Sequence, residues 1–237
     1  MGPGAAFGSR SVIRKDDTIG YRQNARALHV AARALASRRA PRRAPFCLAC
    51  FSDEARLPNP AALIRALVPG TAFIFRHYHY PGRRGLARHC RELALQSGVV
   101  FILAGDEALA RSLNADGLHL PAWQAASPDA KTLRTRWRGI ITTACHTAGE
   151  GDAANVIGAD AIFVSPVFDT ASHPGVRALG TEELKGLADN DVPALALGGI
   201  SAANAALLHK TNVVGFGAIG AFTDDPPTNP IAPVKLV

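Results

Sequence analysis

The sequence predicts one (β/α)8 TIM barrel, in which eight parallel strands form a closed ring and helices surround it. From Phe46 onward, short apolar runs alternate with amphipathic stretches, as in a series of strand–helix units. Continuous apolar runs such as 99–103 are typical of strands that are covered on both faces in a parallel sheet. Two later runs, 161–164 and 194–197, each end in a loop of small residues, as at the active rim of such a barrel.

Each predicted strand corresponds to one apolar run, and the runs lie near 46–51, 72–76, 99–103, 116–120, 139–144, 161–164, 193–197 and 213–216. The amphipathic stretches predict helices near 60–67, 84–97, 106–113, 128–136, 150–158, 181–189, 201–209 and 217–223. Two of these helices have clear start signals. Ser201 can cap the helix after the Gly-Gly-Ile turn, and Asp106 can cap the helix after Gly105.

Charge separates the start of the chain from the predicted barrel. Residues 1–43 hold ten of the 26 Lys and Arg residues but only two of the 19 Asp and Glu residues. We therefore predict a basic, flexible extension over 1–43, the barrel over 44–225 and a Pro-rich tail over 226–237. An amphipathic targeting helix near 25–36 is an alternative for the extension, whereas a secretory signal is excluded because no apolar core segment is present.

The composition also limits the expected partners. Since the excess basic charge lies outside the barrel, it does not indicate a nucleic-acid groove. No apolar stretch approaches 18 residues, so no membrane-spanning segment is predicted. Cys47 and Cys50 form a C-x-x-C pattern inside a predicted strand without a second pair, which favours buried thiols over a zinc or redox site. Free thiols of this kind are expected in the reducing cytoplasm.

The predicted C-terminal ends of the strands carry five of the eight histidines: His77, His79, His119, His146 and His173. Active sites of these barrels lie at that rim. The clustering therefore indicates proton transfer or anion binding near neutral pH. His146, after the fifth strand, is the strongest acid–base candidate.

Each candidate also has a structural alternative. His119 can be a hydrogen-bonded strand-end residue, and His146 can have a purely structural role. His77 and His79 can form a metal pair, although no carboxylate accompanies them at ligand spacing. Asp106 can be a helix cap rather than a ligand or catalytic carboxylate.

The turns after the seventh and eighth strands predict a phosphate site. Gly198 and Gly199 follow one strand, and Ile219 and Gly220 lie in a glycine-containing turn after the next. Such turns bring backbone N–H groups close to an anion, and barrels commonly bind phosphate there. Other rim loops supply the remaining predicted substrate contacts: Arg76, His77, His119, Thr170, Ser172 and His173.

Six segments follow one another between residues 46 and 222: Ala115-Asp-Gly-Leu-His-Leu120, Ala144-Cys-His-Thr147, Gly158-Ala-Asp160, Val164-Ser-Pro-Val-Phe168, Ala196-Leu-Gly-Gly-Ile200 and Gly217-Ala-Ile-Gly-Ala-Phe222. In this order they resemble the motifs of the thiamine phosphate synthase superfamily, which includes the TenI-like thiazole tautomerases. The resemblance implies a role in thiamine biosynthesis and phosphate-binding turns in the last two segments. It also implies that His146 corresponds to the histidine with which the tautomerases move a proton.

The sequence differs from the synthases of this superfamily where they bind Mg²⁺. A synthase joins a pyrimidine diphosphate to a thiazole phosphate, and Mg²⁺ stabilises the departing pyrophosphate. Gly105 and a residue near Trp123 occupy the positions of its metal-binding carboxylates. Of its strand-2 motif only Arg76 remains, and its loop lysine is His173. Asp106, one position beyond Gly105, is the remaining candidate metal ligand.

We therefore expect a thiamine-biosynthesis protein that binds a thiazole phosphate and transfers a proton through His146 without a cofactor. The alternatives are a synthase with a rearranged Mg²⁺ site at Asp106, a non-catalytic phosphate-binding barrel, and a different small-molecule activity. The expected partner is a small phosphorylated heterocycle rather than nucleic acid or membrane, and a homo-oligomer is left open.

Overall fold

Eight parallel strands form a closed barrel in chain order, in which each strand is hydrogen-bonded to the next and the last to the first. The computed structural model describes residues 15–37, 44–57, 59–170 and 175–223. Its strands are β1 (Leu48–Phe51), β2 (Ala72–Phe75), β3 (Val100–Ala104), β4 (Gly117–Leu120), β5 (Ile140–Cys145), β6 (Ala161–Val164), β7 (Ala194–Ala196) and β8 (Gly215–Ala218). The predicted (β/α)8 architecture is confirmed.

Helices surround the barrel: α1 (Lys15–Ser37), α2 (Pro60–Ala66), α3 (Arg83–Ser97), α4 (Glu107–Ser112), α5 (Ala122–Ala125), α6 (Leu133–Arg136), α7 (Ala148–Val156) and α8 (Gly180–Leu187). Short 3-10 helices occupy Pro128–Thr132, Ala205–Lys210 and Gly220–Phe222. Side chains of Asn59, Asp106 and Thr147 cap α2, α4 and α7 by accepting a backbone N–H of the first turn. Within the described residues, no helix is long and apolar enough to cross a membrane.

The barrel interior is filled by side chains. Phe51 and Phe163 meet edge-on with ring centroids 4.7 Å apart, and Ile74, Ile102 and Leu195 pack in the same buried cluster. Such an interior is a core rather than a channel, so a ligand has space only at the rim.

The N-terminal extension is the main correction to the sequence-based prediction. Residues 15–37 form α1, and the side chains on one of its faces are buried: Ala25, Leu28, Ala32 and Leu35. Asn24 Nδ2 also donates to the carbonyl of Phe222, 3.3 Å away. The prediction of a flexible extension over 1–43 is therefore wrong for 15–37, because α1 buries an apolar face against the barrel. Residues 1–14, 38–43 and the predicted tail over 226–237 lie outside the described residues.

Two predicted helices near the end of the barrel are also wrong. The stretch near 201–209 forms only the 3-10 helix Ala205–Lys210, because the Asn204 side chain fixes the preceding turn by accepting the Ser201 N–H and donating to the Gly199 carbonyl. The stretch near 217–223 begins inside β8, which is shifted from the predicted 213–216. Gly217 lies within that strand. The barrel interior needs a glycine at this position, because a Cβ there would lie 2.9 Å from the Phe51 ring.

Candidate active site

A cavity of about 300 Å³ opens at the C-terminal rim, between the loop after β6 and the turns after β7 and β8. Its volume is at the lower end of the range for small-molecule sites. The four residues of the predicted phosphate anchor all line it, together with two of the predicted substrate contacts: Gly198, Gly199, Ile219, Gly220, Arg76 and Thr170. The structure thus brings these six residues together around one space.

The turn after β7 needs two glycines. Gly198 and Gly199 have φ angles of +98° and +65°, in the left-handed region that other residues rarely adopt. The loop after β6 also lies very close to this turn. A Cβ on Gly198 would lie 2.9 Å from Cα of Pro166, and a Cβ on Gly199 would lie 2.8 Å from Cβ of Phe168. Any larger residue would therefore push apart two walls of the cavity.

This turn leaves backbone N–H groups available to an anion. The Gly198 carbonyl accepts from the N–H of Phe168 (3.1 Å), and the Gly199 carbonyl accepts from Asn204 Nδ2 (2.8 Å). In a trans peptide the C=O and N–H groups point in opposite directions. The N–H groups of Gly199 and Ile200 therefore point away from these two partners, and both residues line the cavity.

Gly199→Ala is expected to lower both the melting temperature and the phosphate affinity. A Cβ would strain the left-handed turn and meet the loop after β6, which should cost several degrees in thermal unfolding. A phosphorylated ligand should lose about 10-fold more affinity than its unphosphorylated analogue. Gly186→Ala in α8 is the control, since a Cβ there has no neighbour within 4 Å. Equal losses for both ligands in calorimetry would contradict the anchor.

Among the described residues, two guanidinium groups, Arg56 and Arg76, line the cavity together with one carboxylate, Asp169. Arg76 follows β2, and its Nε donates to the Ser52 carbonyl at 3.1 Å. Burial lowers the pKa of Arg76, which nevertheless stays charged at neutral pH because an arginine pKa starts so high. Arg56, in the loop after β1, pairs with Asp53 at 2.6 Å, and the same Asp53 oxygen is 3.6 Å from Arg76. The hydrogen bond from Arg56 lowers the pKa of Asp53 to about 2, so this carboxylate remains ionised.

His146 lies beside the cavity, directly after β5. Its Nδ1 is 2.7 Å from the carbonyl oxygen of Ser165, a residue that lines the cavity. A carbonyl only accepts hydrogen bonds, so the neutral ring carries its proton on Nδ1 and has a lone pair on Nε2. The backbone N–H of His146 donates to Glu150, whose own N–H is accepted by the capping Thr147. The start of α7 therefore holds His146 in place, and its ring is exposed at the rim.

His119 is buried inside the barrel rather than at the cavity wall. Its Nδ1 is 2.9 Å from Thr142 Oγ1, and its ring packs edge-on against Phe51 and Phe163. Burial lowers the pKa of His119 to about 3, which keeps the ring neutral at physiological pH. These contacts suit the structural alternative for this histidine.

His77 is buried as well. Its Nδ1 is 2.9 Å from Ser52 Oγ, which accepts the backbone N–H of Arg76 at 2.8 Å. His77 thus supports the segment that carries Arg76 and is not among the residues that line the cavity. Ser172 and His173, two further predicted contacts, lie outside the described residues.

The residues around Gly105 do not form a metal site. Asp106 Oδ1 accepts the N–H of Leu109 at 2.8 Å, and its Oδ2 pairs with Arg83 at 3.1 Å. Tyr78 covers Gly105, since a Cβ there would lie 3.0 Å from the Tyr78 ring. In the part of the chain that the structure describes, no group of three His, Cys, Asp or Glu residues could hold a metal ion. These residues do not fit the Mg²⁺ that the resemblance to the synthases implies.

Several residues at or near the cavity were not predicted from the sequence, among them Asp169, Arg56, Asp53 and Asn204. Arg56 and Asp53 lie in a polar loop directly after β1, and the criterion that selected Arg76, a charged residue after a strand, could have found them. Asn204 braces the glycine turn by accepting the N–H of Ser201 and donating to the Gly199 carbonyl. No pattern in the sequence indicates this role, because it depends on the folded turn.

Comparison with known proteins gives a consistent result. Residues 52–222 match the family model described as thiamine monophosphate synthase. The chain is 32% identical over 186 residues to the thiamine-phosphate synthase of Geobacillus kaustophilus (strain HTA426), which covers 74% of this chain and 82% of that protein. It is 29% identical over 140 residues to the putative thiamine-phosphate synthase 2 of Aquifex aeolicus (strain VF5), covering 59% and 74%. The thiamine phosphate pyrophosphorylase structure from Pyrococcus furiosus shares the fold, with a TM-score of 0.64, 24% identity and coverage of 76% and 90%.

Proposed function

We propose, from the premise that this chain belongs to the thiamine monophosphate synthase family, that it binds a thiazole phosphate and moves a proton on the heterocycle through His146. The observation that carries the proposal is the hydrogen bond from His146 Nδ1 to the Ser165 carbonyl. It leaves an unprotonated Nε2 on a histidine that is bonded to Ser165, a residue lining a cavity suited to phosphate.

The proposed reaction is an isomerisation in two proton transfers. Nε2 of neutral His146 takes a proton from the bound heterocycle, and the electron pair that held it stays in the ring system. The imidazolium then has a proton on both nitrogens, and its Nδ1–H keeps its bond to the Ser165 carbonyl. Return of the Nε2 proton to a different ring position gives the tautomer and restores the neutral histidine. A phosphate held by the turns would keep the heterocycle in place between the two transfers.

A direct test is to follow a thiazole phosphate tautomer by NMR in deuterium oxide with catalytic amounts of the protein. The proposal expects conversion to the second tautomer with deuterium at the position that receives the proton, at an equal rate with and without EDTA. Binding of the phosphate without conversion or exchange would favour the alternative of a non-catalytic phosphate-binding barrel.

The second candidate function is thiamine phosphate synthesis, which is favoured by the names of the two relatives, both described as thiamine-phosphate synthases. Asp106 would then have to serve the metal, although its oxygens already bond to Leu109 N–H and to Arg83. A metal ion would have to compete with both partners, and hard oxygen ligands are what Mg²⁺ needs.

We expect negligible thiamine phosphate when the protein is given a pyrimidine diphosphate and a thiazole phosphate, with or without Mg²⁺. The reason is that neither Gly105 nor Trp123 can supply a carboxylate and that Asp106 is already engaged. The Geobacillus kaustophilus relative, assayed in parallel, is the positive control for product detection by chromatography. Robust turnover that EDTA abolishes would contradict this expectation and make Asp106 the candidate metal ligand.

A further inference from the structure

We propose that Arg56 binds the phosphate of the ligand and that Asp53 holds the Arg56 guanidinium in position. This inference rests on the proposed function only in assuming that the cavity takes a phosphorylated ligand. It adds a charged side chain to an anchor that otherwise consists of backbone groups.

The barrel topology places Arg56 next to the second phosphate turn. Strands β1 and β8 are paired, with Cys50 opposite Ala218, so their C-terminal ends are adjacent. The loop after β1 carries Arg56, and the turn after β8 carries Gly220. Both residues line the same cavity of about 300 Å³, which leaves little distance between a small anion on the turn and the guanidinium.

Asp53 organises this loop with both of its carboxylate oxygens. Oδ1 accepts the backbone N–H groups of Ala55 (3.1 Å) and Arg56 (2.9 Å), which fixes the turn. Oδ2 accepts from the Arg56 guanidinium at 2.6 Å. The guanidinium is therefore oriented before any ligand arrives, and a preorganised donor loses less entropy on binding.

The two guanidinium groups, rather than a net positive charge, would recognise an anionic ligand at this position. Arg56 and Arg76 line the cavity, and their charges are offset by Asp53, which pairs with both, and by Asp169, which also lines the cavity. Only about a quarter of each of the two arginine side chains is exposed, 28% and 26%, so solvent screens them less than it screens free surface arginines. A guanidinium also presents paired N–H groups that match phosphate oxygens.

Arg56→Gln is expected to weaken binding of hydroxyethylthiazole phosphate by about 10- to 100-fold, which is the usual effect of losing one charge-assisted hydrogen bond. Hydroxyethylthiazole, which lacks only the phosphate, should change less than 2-fold. Arg65→Gln is the matched control, because it removes an exposed arginine on α2 that does not line the cavity. Calorimetry on the full chain compares the wild type and the two variants with both ligands. An unchanged phosphate affinity in Arg56→Gln would overturn the proposal.

Asp53→Asn tests whether phosphate binding depends on the position of the Arg56 guanidinium or only on the net positive charge. Asparagine keeps the oxygen that caps the turn but removes the negative charge that holds Arg56. Weaker phosphate binding would support positioning, whereas tighter binding would show that only net charge matters and would overturn that part of the proposal. If wild-type protein binds no phosphorylated thiazole at all, the proposed function fails first. If it binds and converts the ligand while Arg56→Gln binds equally well, the role of Arg56 alone fails.

Discussion

His146→Gln is expected to lower the rate of thiazole proton transfer by roughly 10²- to 10⁴-fold, which is the usual contribution of a positioned acid–base group. Glutamine keeps a polar side chain at the rim but cannot take up and return a proton. The affinity for the phosphorylated ligand should stay within a few-fold, because the proposed anchor lies on the turns after β7 and β8. NMR of the tautomer gives the rate, and calorimetry gives the affinity.

Two other histidines provide controls for this result. His79→Gln changes another exposed histidine of the same rim and should leave turnover nearly unchanged. His119→Gln should cost much less turnover than His146→Gln, and it should lower the melting temperature because His119 bonds to Thr142 inside the barrel. Unchanged turnover in His146→Gln would exclude this residue as the catalyst.

The strands could be predicted because a parallel barrel buries both faces of each strand, which leaves a continuous apolar run in the sequence. The bounds of β6 are the predicted 161–164. The predicted bounds of β8, 213–216, are two residues too early. Gly215 and Gly217 stand in this strand where other strands have larger apolar residues. The Cys47 backbone leaves no room for a side chain at Gly215, and the Phe51, Phe163 and Leu197 side chains leave none at Gly217, so the strand itself carries little hydrophobic signal.

The glycine anchor could be predicted, but the roles of the histidines could not be separated. Gly198 and Gly199 are informative because few other residues tolerate their backbone angles. His119 and His146 both come near the end of a strand in the sequence. One is the third residue of β4 and points into the barrel, whereas the other is the first residue after β5 and lies at the rim. That difference depends on where each strand ends, which is the least certain part of a sequence-based prediction.

The N-terminal helix was predicted only as an alternative, near 25–36, because average charge obscured a local pattern. Residues 1–43 are strongly basic as a whole, which suggested a solvated extension. Within them, Ala25, Leu28, Ala32 and Leu35 recur at the three- and four-residue spacing of a buried helical face. Arg26 and Arg33, which lie between them, are exposed, so the apolar stripe, rather than the net charge, decides that this segment packs.

Leu28→Ala is expected to destabilise the protein by roughly 2–5 kcal/mol, the range observed when a buried leucine is truncated. Leu28 is 1% exposed in the face of α1 that packs on the barrel. For a domain of this size the loss corresponds to a drop of about 4 to 20 °C in melting temperature. Val30→Ala is the matched control on the same helix, since Val30 is 69% exposed and should change stability by at most about 0.5 kcal/mol. Thermal unfolding followed by circular dichroism compares the two variants.

Removal of residues 1–37 should have a larger effect, because it uncovers the apolar surface that α1 shields near β1 and β8. The shortened chain should unfold at a much lower temperature or fail to give a cooperative transition. If it is too unstable to purify, the pair Leu28→Ala and Val30→Ala still decides the question in the full chain. Equal melting temperatures for that pair would show that α1 does not contribute to barrel stability.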